Sequence, residues 1–332
     1  MSKILCIGDL HLSHSRLELC SKVLKWIEEV IFQLNPDKIV YLGDVFDTHA
    51  VIRSECLCIW TNHLSSVLEY PVYWICGNHE FFKPNDSTYN ALIPFAAWNN
   101  KNLNVITTPT QLDGLGFIPY LTKDKSWPQV THGFTSKIIF THNTFIGADF
   151  GFKRADEGIK LSDVTNELVI SGHIHKRQLL ENVTYPGTPY AWSAHDVDQK
   201  KGLMVLNSDT YEASFIESPF PTWQKVEIEL SKKDNLVIPK TNDHIMIKLT
   251  GLRSDIKAFM TSEILEDFKK NNKSVSVSTV FLDSAKTESK GISIKNTSLS
   301  EAVESYMSKL YKGSAPADLV KKEVLRLLGE IK

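Results

Sequence analysis

Residues 3–11 read KILCIGDLH, an apolar run of strand length that ends in a glycine and an aspartate. The same arrangement recurs in residues 38–44 (KIVYLGD) and, with asparagine as the polar residue, in residues 71–78 (PVYWICGN). Between these runs, residues 16–34 and 54–68 place apolar side chains at the spacing of an amphipathic helix. Strands that alternate with helices predict βαβ units and a largely parallel sheet, which is an α/β fold.

The rest of the chain is predicted to complete one catalytic domain and to add smaller parts. Further strands are expected at residues 137–140 and 168–170, and residues 202–206 and 211–216 have the pattern of a hairpin. A composition break at residues 218–221 then ends the domain. The predicted domains are a catalytic domain (1–218), a capping domain (219–284), a flexible polar linker (285–298) and a helical segment (299–332).

The two C-terminal parts have distinct patterns. The capping domain has the pattern β-α-β, with strands at residues 244–249 and 274–282 and one helix at residues 254–270. Residues 299–332 carry two apolar stripes at helical spacing, separated by a Gly- and Pro-containing turn. Two paired helices beyond a tether suit docking onto a partner's coiled coil, and the alternative is that they fold back onto their own domain.

Composition limits the classes of function. The formal net charge of −2 excludes a globally basic nucleic-acid binder, but it leaves room for a local basic groove. No run approaches the roughly 18 apolar residues that span a membrane, and the N-terminus runs straight into a strand, so no signal peptide is predicted. Five irregularly spaced cysteines predict buried free thiols rather than disulfides or a zinc site. The expected location is the cytoplasm, or the host cytoplasm for a viral protein.

Five short polar motifs follow predicted strands. They are Gly8-Asp9-Leu10-His11, Gly43-Asp44-Val45-Phe46-Asp47, Gly77-Asn78-His79-Glu80, Thr141-His142-Asn143 and Gly172-His173-Ile174-His175. Open α/β folds place their active sites at the carboxyl ends of strands, so these motifs are expected to meet at one edge. The candidate metal ligands are Asp9, His11, Asp44, Asn78, His142, His173 and His175. Seven ligands are too many for one ion, and they suit two ions that share a bridging carboxylate.

The ligand types indicate chemistry on a phosphate ester. Two divalent cations bring four positive charges, and only the carboxylates of Asp9 and Asp44 offset them. The cluster therefore stays positive, attracts a phosphate and lowers the pKa of a shared water. Mixed imidazole, carboxylate and amide ligands favour manganese or iron over magnesium. Each motif alone is weak, since a single Gly-Asn-His is mostly a turn, but all five at strand ends are not expected by coincidence.

The motifs resemble those of calcineurin-like metallophosphoesterases and, within them, the SbcD / Mre-eleven nuclease subunits of cells and large phages. The resemblance covers roughly residues 3–206. It rests on the five motifs, on Asp47-Thr48 after the second one, and on Tyr185-Pro186-Gly187-Thr188-Pro189 with Lys201-Gly202. It implies an α/β fold with a four-layer β-sandwich metallophosphoesterase core flanked by helices, followed by the small β-α-β capping domain and the C-terminal helices.

The same resemblance implies a role for each site residue. One ion would be held by Asp9, His11, Asp44 and His175, and the other by Asp44, Asn78, His142 and His173. His79 would be the catalytic residue, which stabilises the transition state or protonates the leaving 3′ oxygen; the alternative is a packed structural histidine. Some relatives have a second catalytic histidine where this chain has Asp47. Asp47 would either orient a histidine or cap a loop, and His49 is expected to be structural.

The substrate implied is a phosphodiester of DNA. Ser/Thr phosphatases carry an arginine just after the second aspartate of motif two. Here residues 47–53 read DTHAVIR, with no arginine in that place. The basic pairs Lys153-Arg154, Lys176-Arg177 and Lys200-Lys201 are candidate DNA contacts, or solvated faces.

The resemblance implies a Mn²⁺-dependent exonuclease and endonuclease subunit that acts in DNA end processing, replication, recombination and repair. The subunit would be a homodimer, with an SbcC / Rad-fifty ATPase bound to its C-terminal helices. A stand-alone phosphodiesterase of small or cyclic nucleotides, and a scaffold without activity, are the alternatives.

Overall fold

A computed structural model describes residues 2–49, 51–83, 86–98, 100–231, 244–271 and 274–282. The chain divides into two compact units, Met1–Val280 and Phe281–Lys332. The predicted linker (285–298) and helical segment (299–332) lie outside the described residues, and the predicted domain boundaries stay predictions.

The described residues form strands and helices that alternate in the first half of the chain. The strands are β1 Lys3–Ile7, β2 Lys38–Tyr41, β3 Val72–Ile75, β4 Phe81–Lys83, β5 Asp86–Asn90, β6 Leu103–Ile106, β7 Thr110–Leu112, β8 Leu115–Ile118, β9 Ile138–Thr141, β10 Leu168–Ser171, β11 Gln178–Leu180, β12 Val183–Tyr185, β13 Gly202–Asn207, β14 Ala213–Glu217, β15 Trp223–Glu229, β16 His244–Gly251 and β17 Val275–Phe281. The helices are α1 Leu17–Leu34, α2 Ser54–Val67, α3 Ile93–Ala96, α4 Trp127–Val130, α5 Arg253–Met260 and α6 Glu263–Asn271.

Two six-stranded sheets make the core of the first unit. The first has the order β14-β13-β1-β2-β3-β6, and the second has the order β11-β12-β10-β9-β8-β7. Strands β1, β2, β3 and β6 run parallel, as do β8, β9, β10 and β12. Antiparallel strands lie at one edge of the first sheet, where β13 and β14 are, and at both edges of the second, where β7 and β11 are. The predicted parallel arrangement and the predicted β13–β14 hairpin are therefore confirmed.

The sheets lie face to face, and apolar side chains fill three layers. Alternate residues of β1 point to opposite faces, because side chains alternate along a strand. Leu5 and Ile7 pack against α1 and α2, whereas Ile4 and Cys6 pack against Phe140 of the second sheet. The outer face of the second sheet is covered by loops and α4, around residues such as Trp127, Phe145 and Tyr185. The predicted four-layer sandwich is confirmed.

The first helix begins and ends close to where its sequence pattern predicts. Its apolar stripe, from Cys20 to Ile31, is buried against the first sheet. Asn35 ends the helix in a left-handed conformation (φ 47°), and its N–H donates to the carbonyl of Ile31. Asparagine tolerates this conformation, and Pro36 prevents another turn. The register of α1 fixes where the chain enters β2 and so where the second motif lies.

The capping region differs from its predicted pattern in two respects. Strand β15, which was not predicted, pairs in parallel with β16. Exposed and more buried residues alternate along it from Gln224 to Glu229. The single predicted helix is wrong: α5 and α6 are separate. Ser262 starts the second helix, since its Oγ accepts a hydrogen bond from the N–H of Leu265 at 3.3 Å. Local capping thus outweighs the continuous apolar periodicity.

The cysteines are unpaired, and the helices do not reach membrane-spanning length with an apolar sequence in the described part of the chain. All five thiols are free, as expected, but Cys58 is exposed on α2, so the expectation of five buried thiols is wrong for that residue. Within the part of the chain that the structure describes, every helix is too short or too polar to cross a membrane.

A buried polar network joins α1, α2 and β2. The Oη of Tyr41 lies 2.6 Å from Nε2 of His63, and Nδ1 of His63 lies 2.8 Å from a carboxylate oxygen of Glu28. The carboxylate accepts from Nδ1–H, so Nε2 accepts from the tyrosine and the ring is neutral. Burial lowers the pKa of His63 below its ordinary value and outweighs the opposing effect of Glu28.

The His63 network makes stability depend on pH. Because the folded pKa is lowered, the unfolded chain binds the proton more readily, and stability is lost as pH falls below about 6.5. In urea titrations between pH 7 and 5, we expect His63→Phe to be less stable at pH 7 but to lose less on acidification. The two slopes should differ by at most about 1.4 kcal/mol per pH unit. An exposed histidine, His132, gives the control variant His132→Phe; equal slopes for His63→Phe and wild type would contradict the prediction.

Candidate metal centre

The five polar motifs meet at one edge of the sandwich. The loops after β1, β2 and β3 come from the first sheet, and the loops after β9 and β10 come from the second. The carboxyl ends of parallel strands point the same way, so both sheets deliver their motifs to the same side. All seven predicted ligands and His79 lie in this cluster. Asp9, His11, Asp44 and His142 are almost fully buried there.

The first ligand group consists of Asp9, His11 and His175, whose ligand atoms all lie within 4.8 Å of one another. The Nε2 atoms of His11 and His175 are 3.0 Å apart. An oxygen of Asp9 lies 4.0 Å from Nε2 of His11 and 3.7 Å from Nε2 of His175. Two imidazole nitrogens and a carboxylate oxygen therefore converge on one point, which is the arrangement that a divalent cation requires.

The second group consists of Asp44, His142 and His173, again within 4.8 Å. Nδ1 of His142 donates to the carbonyl of Leu42 at 2.7 Å, so Nε2 is the ring nitrogen that faces the site. This Nε2 lies 3.1 Å from Oδ2 of Asp44 and 3.2 Å from Oδ1 of Asn78. The predicted amide ligand is thus beside the predicted imidazole ligand. The backbone carbonyl fixes the tautomer that metal ligation needs.

Asp44 lies between the two groups. It also belongs to a third cluster, with His11 and His79, whose ligand atoms lie within 4.8 Å. Since His11 is in the first group and Asp44 is in the second, this cluster links them. A bridging role for the Asp44 carboxylate, as the resemblance implies, is compatible with this position. The cluster also brings His79 within ligand distance, although the resemblance makes it a non-ligand.

Unusual backbone conformations aim these side chains. His11, Asp44 and His173 have φ angles of 43°, 48° and 77°, in the left-handed region that non-glycine residues rarely adopt. Such strain is retained where the surrounding structure holds the residue in place. Gly43 precedes Asp44 with a φ of 106°, and a Cβ there would lie 2.4 Å from Nδ1 of His142. Glycine in motif two therefore allows the loops of the two sheets to touch.

The charges of the cluster influence one another strongly. Burial raises the pKa of Asp9 above its ordinary value. Burial also opposes a charge on Asp44, but His142 outweighs it and holds the pKa of that carboxyl well below its usual range. Burial, followed by repulsion from His142, lowers the pKa of His173 to about 3, and burial likewise lowers that of His175. The last two imidazoles are therefore neutral, as metal ligands must be.

His79 occupies the rim of the cluster. Its backbone N–H donates to Oδ1 of Asp44 at 2.9 Å, and its Nδ1 donates to the carbonyl of Asp47 at 2.6 Å. Nε2 is then the free ring nitrogen, 3.9 Å from Oδ2 of Asp44. The ring of His49 stacks on that of His79, with centroids 4.5 Å apart. Oδ1 of Asp47 lies 3.5 Å from Nδ1 of His11, so Asp47 contacts two site histidines through different atoms.

Glu80 is an essential part of this geometry, although the sequence analysis assigned no role to it. Its buried carboxylate accepts four backbone hydrogen bonds, from the N–H groups of Asp44, Val45, Phe46 and Gly77. It therefore clamps motif two to motif three. Motif three itself ends in this glutamate, which is the one sequence signal that could have identified it.

Lys201 and Gly187 support the histidine pair of motif five. The carbonyl of His175 accepts from Nζ of Lys201 at 2.8 Å and from the N–H of Thr188 at 3.2 Å. Lys201 is only 2% exposed and forms a buried ion pair with Asp196 at 2.6 Å. The interpretation of Lys200-Lys201 as a surface DNA contact is therefore wrong for Lys201. Lys201 instead holds the carbonyl of His175, and Gly187 leaves room for this carbonyl, because a Cβ at Gly187 would lie 2.7 Å from its oxygen.

The other basic pairs have mixed environments. Lys176 forms an ion pair with Asp149, and the guanidinium of Arg177 lies 3.9 Å from the ring centroid of Phe215. Lys153 and Arg154 are exposed. DNA contact by these four residues stays a prediction.

Residues 2–177 match the calcineurin-like phosphoesterase family, which is more than half of the chain. This chain belongs to that family. It is therefore a hydrolase of phosphate esters, and its family binds divalent metals at clusters of histidine and aspartate such as this one.

Two individual proteins are similar to this phosphoesterase. Exonuclease subunit 1 of enterobacteria phage T4 is 26% identical over 196 residues, which are 56% of this chain and 57% of that protein. This phosphoesterase thus matches little more than half the length of the phage protein. The crystal structure of TT1561 of Thermus thermophilus is 15% identical, with a TM-score of 0.40, over 65% of this chain and 98% of that one. That last likeness is too low to add to the fold assignment.

Glu80→Gln should weaken the centre without touching a ligand. A glutamine turns an NH₂ group toward two of the four N–H donors, and each unsatisfied buried donor costs about 1–3 kcal/mol. We expect urea titrations to show a loss of about 2 kcal/mol or more, and Mn²⁺ titrations to show roughly 10–100-fold weaker binding. The exposed ion-paired Glu217 gives the matched control Glu217→Gln, which should show neither loss. Unchanged stability and Mn²⁺ affinity in Glu80→Gln would show that the clamp is unimportant.

Proposed function

We propose that this phosphoesterase is a Mn²⁺-dependent nuclease that hydrolyses phosphodiester bonds of DNA. The observation that carries the proposal is the position of Asp44 between two groups of metal-ligating side chains. Donors for two cations on either side of one carboxylate favour a dinuclear site over a single ion. The mixture of imidazole, carboxylate and amide donors fits manganese better than magnesium.

The residues fit two cations. Asp9, His11 and His175 would hold one, Asn78, His142 and His173 would hold the other, and Asp44 would be shared. When bound, a pair of divalent cations supplies activation of water and neutralisation of charge on the phosphate. Nδ1 of His11 faces Oδ1 of Asp47 at 3.5 Å, and a proton on Nδ1 leaves Nε2 available as a ligand.

His79 would handle the proton of the leaving group. The carbonyl of Asp47 holds the Nδ1 proton, and this leaves Nε2, on the side of Asp44, as the nitrogen that can carry a second proton. A proton at Nε2 could pass to the leaving oxygen or stabilise the charge that develops there. The stack with His49 and the edge contact with His11, at centroid distances of 4.5 and 4.7 Å, hold the ring in this orientation.

A cleft of about 570 Å³ beside the ligands supports a nucleic-acid substrate. It begins at Tyr120, whose ring lies 5.6 Å from that of His173. Lys123, Lys125 and Lys160 line it, together with the carboxylates of Glu157 and Asp163. Lysines in an open cleft suit the repeated phosphates of a strand more than a single small ester.

The likeness to exonuclease subunit 1 of phage T4 supports the choice of DNA and a role as one subunit of a complex. We propose that the partner is an ATPase of the SbcC / Rad-fifty type and that it binds residues 299–332. The complex would act in DNA end processing, replication, recombination and repair, as a homodimer of this chain.

Cleavage of an oligonucleotide tests the proposed function directly. The purified protein with Mn²⁺ should shorten 5′-labelled single-stranded oligonucleotides, and a chelator should abolish the reaction because the ligand groups are then empty of cations. Renewed addition of Mn²⁺ should restore it. Product lengths on denaturing gels are the measurement.

The result that rules out the nuclease is equally clear. If the protein hydrolyses bis-p-nitrophenyl phosphate with Mn²⁺ but leaves oligonucleotides intact, it is a phosphodiesterase of small molecules. If it hydrolyses neither substrate and binds no Mn²⁺, the dinuclear site itself is wrong.

His79→Ala should separate metal binding from catalysis. Loss of a group that moves a proton in the transition state lowers turnover roughly 10²–10⁴-fold. Mn²⁺ affinity, measured by titration calorimetry, should stay close to that of the wild type, because the ligands remain. The exposed His14 provides the control His14→Ala, which should keep both properties. Loss of bound Mn²⁺ in His79→Ala would make His79 a ligand rather than a proton donor.

A further inference from the structure

A second and smaller cleft opens next to His79. It has a volume of about 180 Å³ and lies between the loop that holds Thr48 and Ile52 and the hairpin formed by β4 and β5. His79 lines this cleft and also belongs to the cluster with His11 and Asp44. Anything bound in the cleft is therefore an immediate neighbour of the candidate metal centre.

Two aromatic side chains of the hairpin line the cleft and are exposed. Phe82 is 44% exposed and Tyr89 is 67% exposed, whereas the adjacent Phe81 is 2% exposed and packs near Tyr120. Alternation along β4 thus puts Phe81 inside and Phe82 outside. Exposed aromatic rings that are grouped at the rim of a cleft often mark a binding surface, because leaving them in water costs free energy.

The hairpin presents these rings without burying them in a larger sheet. Strands β4 and β5 pair only with each other among the described residues, with Phe81 opposite Asn90 and Lys83 opposite Asp86. The ammonium of Lys83 lies 5.2 Å from the centroid of the Phe82 ring. A flat apolar surface and a cation at its edge suit a ligand that has both a ring and a phosphate.

We propose that this cleft is a nucleobase subsite, in which the base next to the scissile phosphate stacks on Phe82 and Tyr89. The inference rests on the proposed nuclease function. It names the nucleobase as the group that the enzyme recognises beside the reacting phosphate. Every base can stack on an aromatic ring, so the subsite distinguishes a nucleotide that carries a base from an abasic residue. It does not distinguish one base from another. It positions an unpaired nucleotide, because a base within a duplex has no free face.

The test compares two labelled oligonucleotides of one length, oligo-dT and a strand in which every residue is abasic. The full chain with Mn²⁺ is assayed for kcat/KM on each. We expect the wild type to prefer oligo-dT by about 5-fold or more, since stacking on an aromatic ring contributes roughly 1–3 kcal/mol per base. In Phe82→Leu/Tyr89→Leu, which keeps apolar bulk but removes both rings, this preference should fall to about 2-fold or less.

An exposed phenylalanine elsewhere provides the control. Phe32 on α1 is 48% exposed, and Phe32→Leu should keep the full preference for oligo-dT. Thermal unfolding midpoints close to the wild-type value exclude misfolding of the double variant, and the single variants Phe82→Leu and Tyr89→Leu serve if it unfolds.

The outcomes distinguish this inference from the proposed function. If the wild type cleaves both strands equally well, or if the double variant keeps the wild-type preference, the subsite is refuted while the nuclease stands. If the wild type cleaves neither strand, the proposed nuclease fails first, and the subsite fails with it.

Discussion

Two buried carboxylates have to be held side by side at the centre of this protein. Asp9 and Asp44 are each 2% exposed, and burial together with the charge of Asp44 raises the pKa of Asp9. Imidazoles from both sheets surround the two carboxylates and offer lone pairs or protons. Such a group of anions and neutral bases is stabilised by bound cations. Cations held there would also activate water and offset the charge of a phosphate, so the same cluster suits hydrolysis of phosphate esters.

The fold serves this cluster by bringing strand ends together from both sheets. Parallel inner strands place five loops on one side, and three residues in left-handed conformations turn their side chains into the site. The side chains of Glu80 and Lys201 then hold the loops by hydrogen bonds to backbone groups of the loops rather than to the ligand atoms. Much of the precision of the centre therefore comes from two buried charged side chains that do not themselves point at a substrate.

The two clefts that border the centre bear on which phosphate ester the protein hydrolyses. Membership of the calcineurin-like phosphoesterase family establishes hydrolysis of phosphate esters and leaves the ester open. Two clefts border the centre, one with lysines near Tyr120 and one with aromatic rings near His79. Under the proposed function, they would accommodate the two components of a nucleic-acid strand, its charged backbone and its flat bases. The clefts are formed by loops and a hairpin, the parts of a fold in which substrate preference varies most readily.

Local sequence patterns predict the α/β class and the positions of α1 and α2, and they select seven candidate ligands that the structure brings together at one edge. Periodic apolar residues define helices and strands. A polar motif directly after a strand is expected at the edge of the sheet where the carboxyl ends of the parallel strands meet. Contacts between distant parts of the chain account for what these patterns missed. Glu80 lies in motif three and Lys201 lies in a stretch that resembles the nuclease family, but no local pattern shows which loops they hold, because those loops lie 36 and 26 positions away in the chain. The aromatic cleft has no local pattern that marks it. The break between α5 and α6 instead follows from the local cap at Ser262, and the exposure of Cys58 follows from burial, neither of which periodicity records.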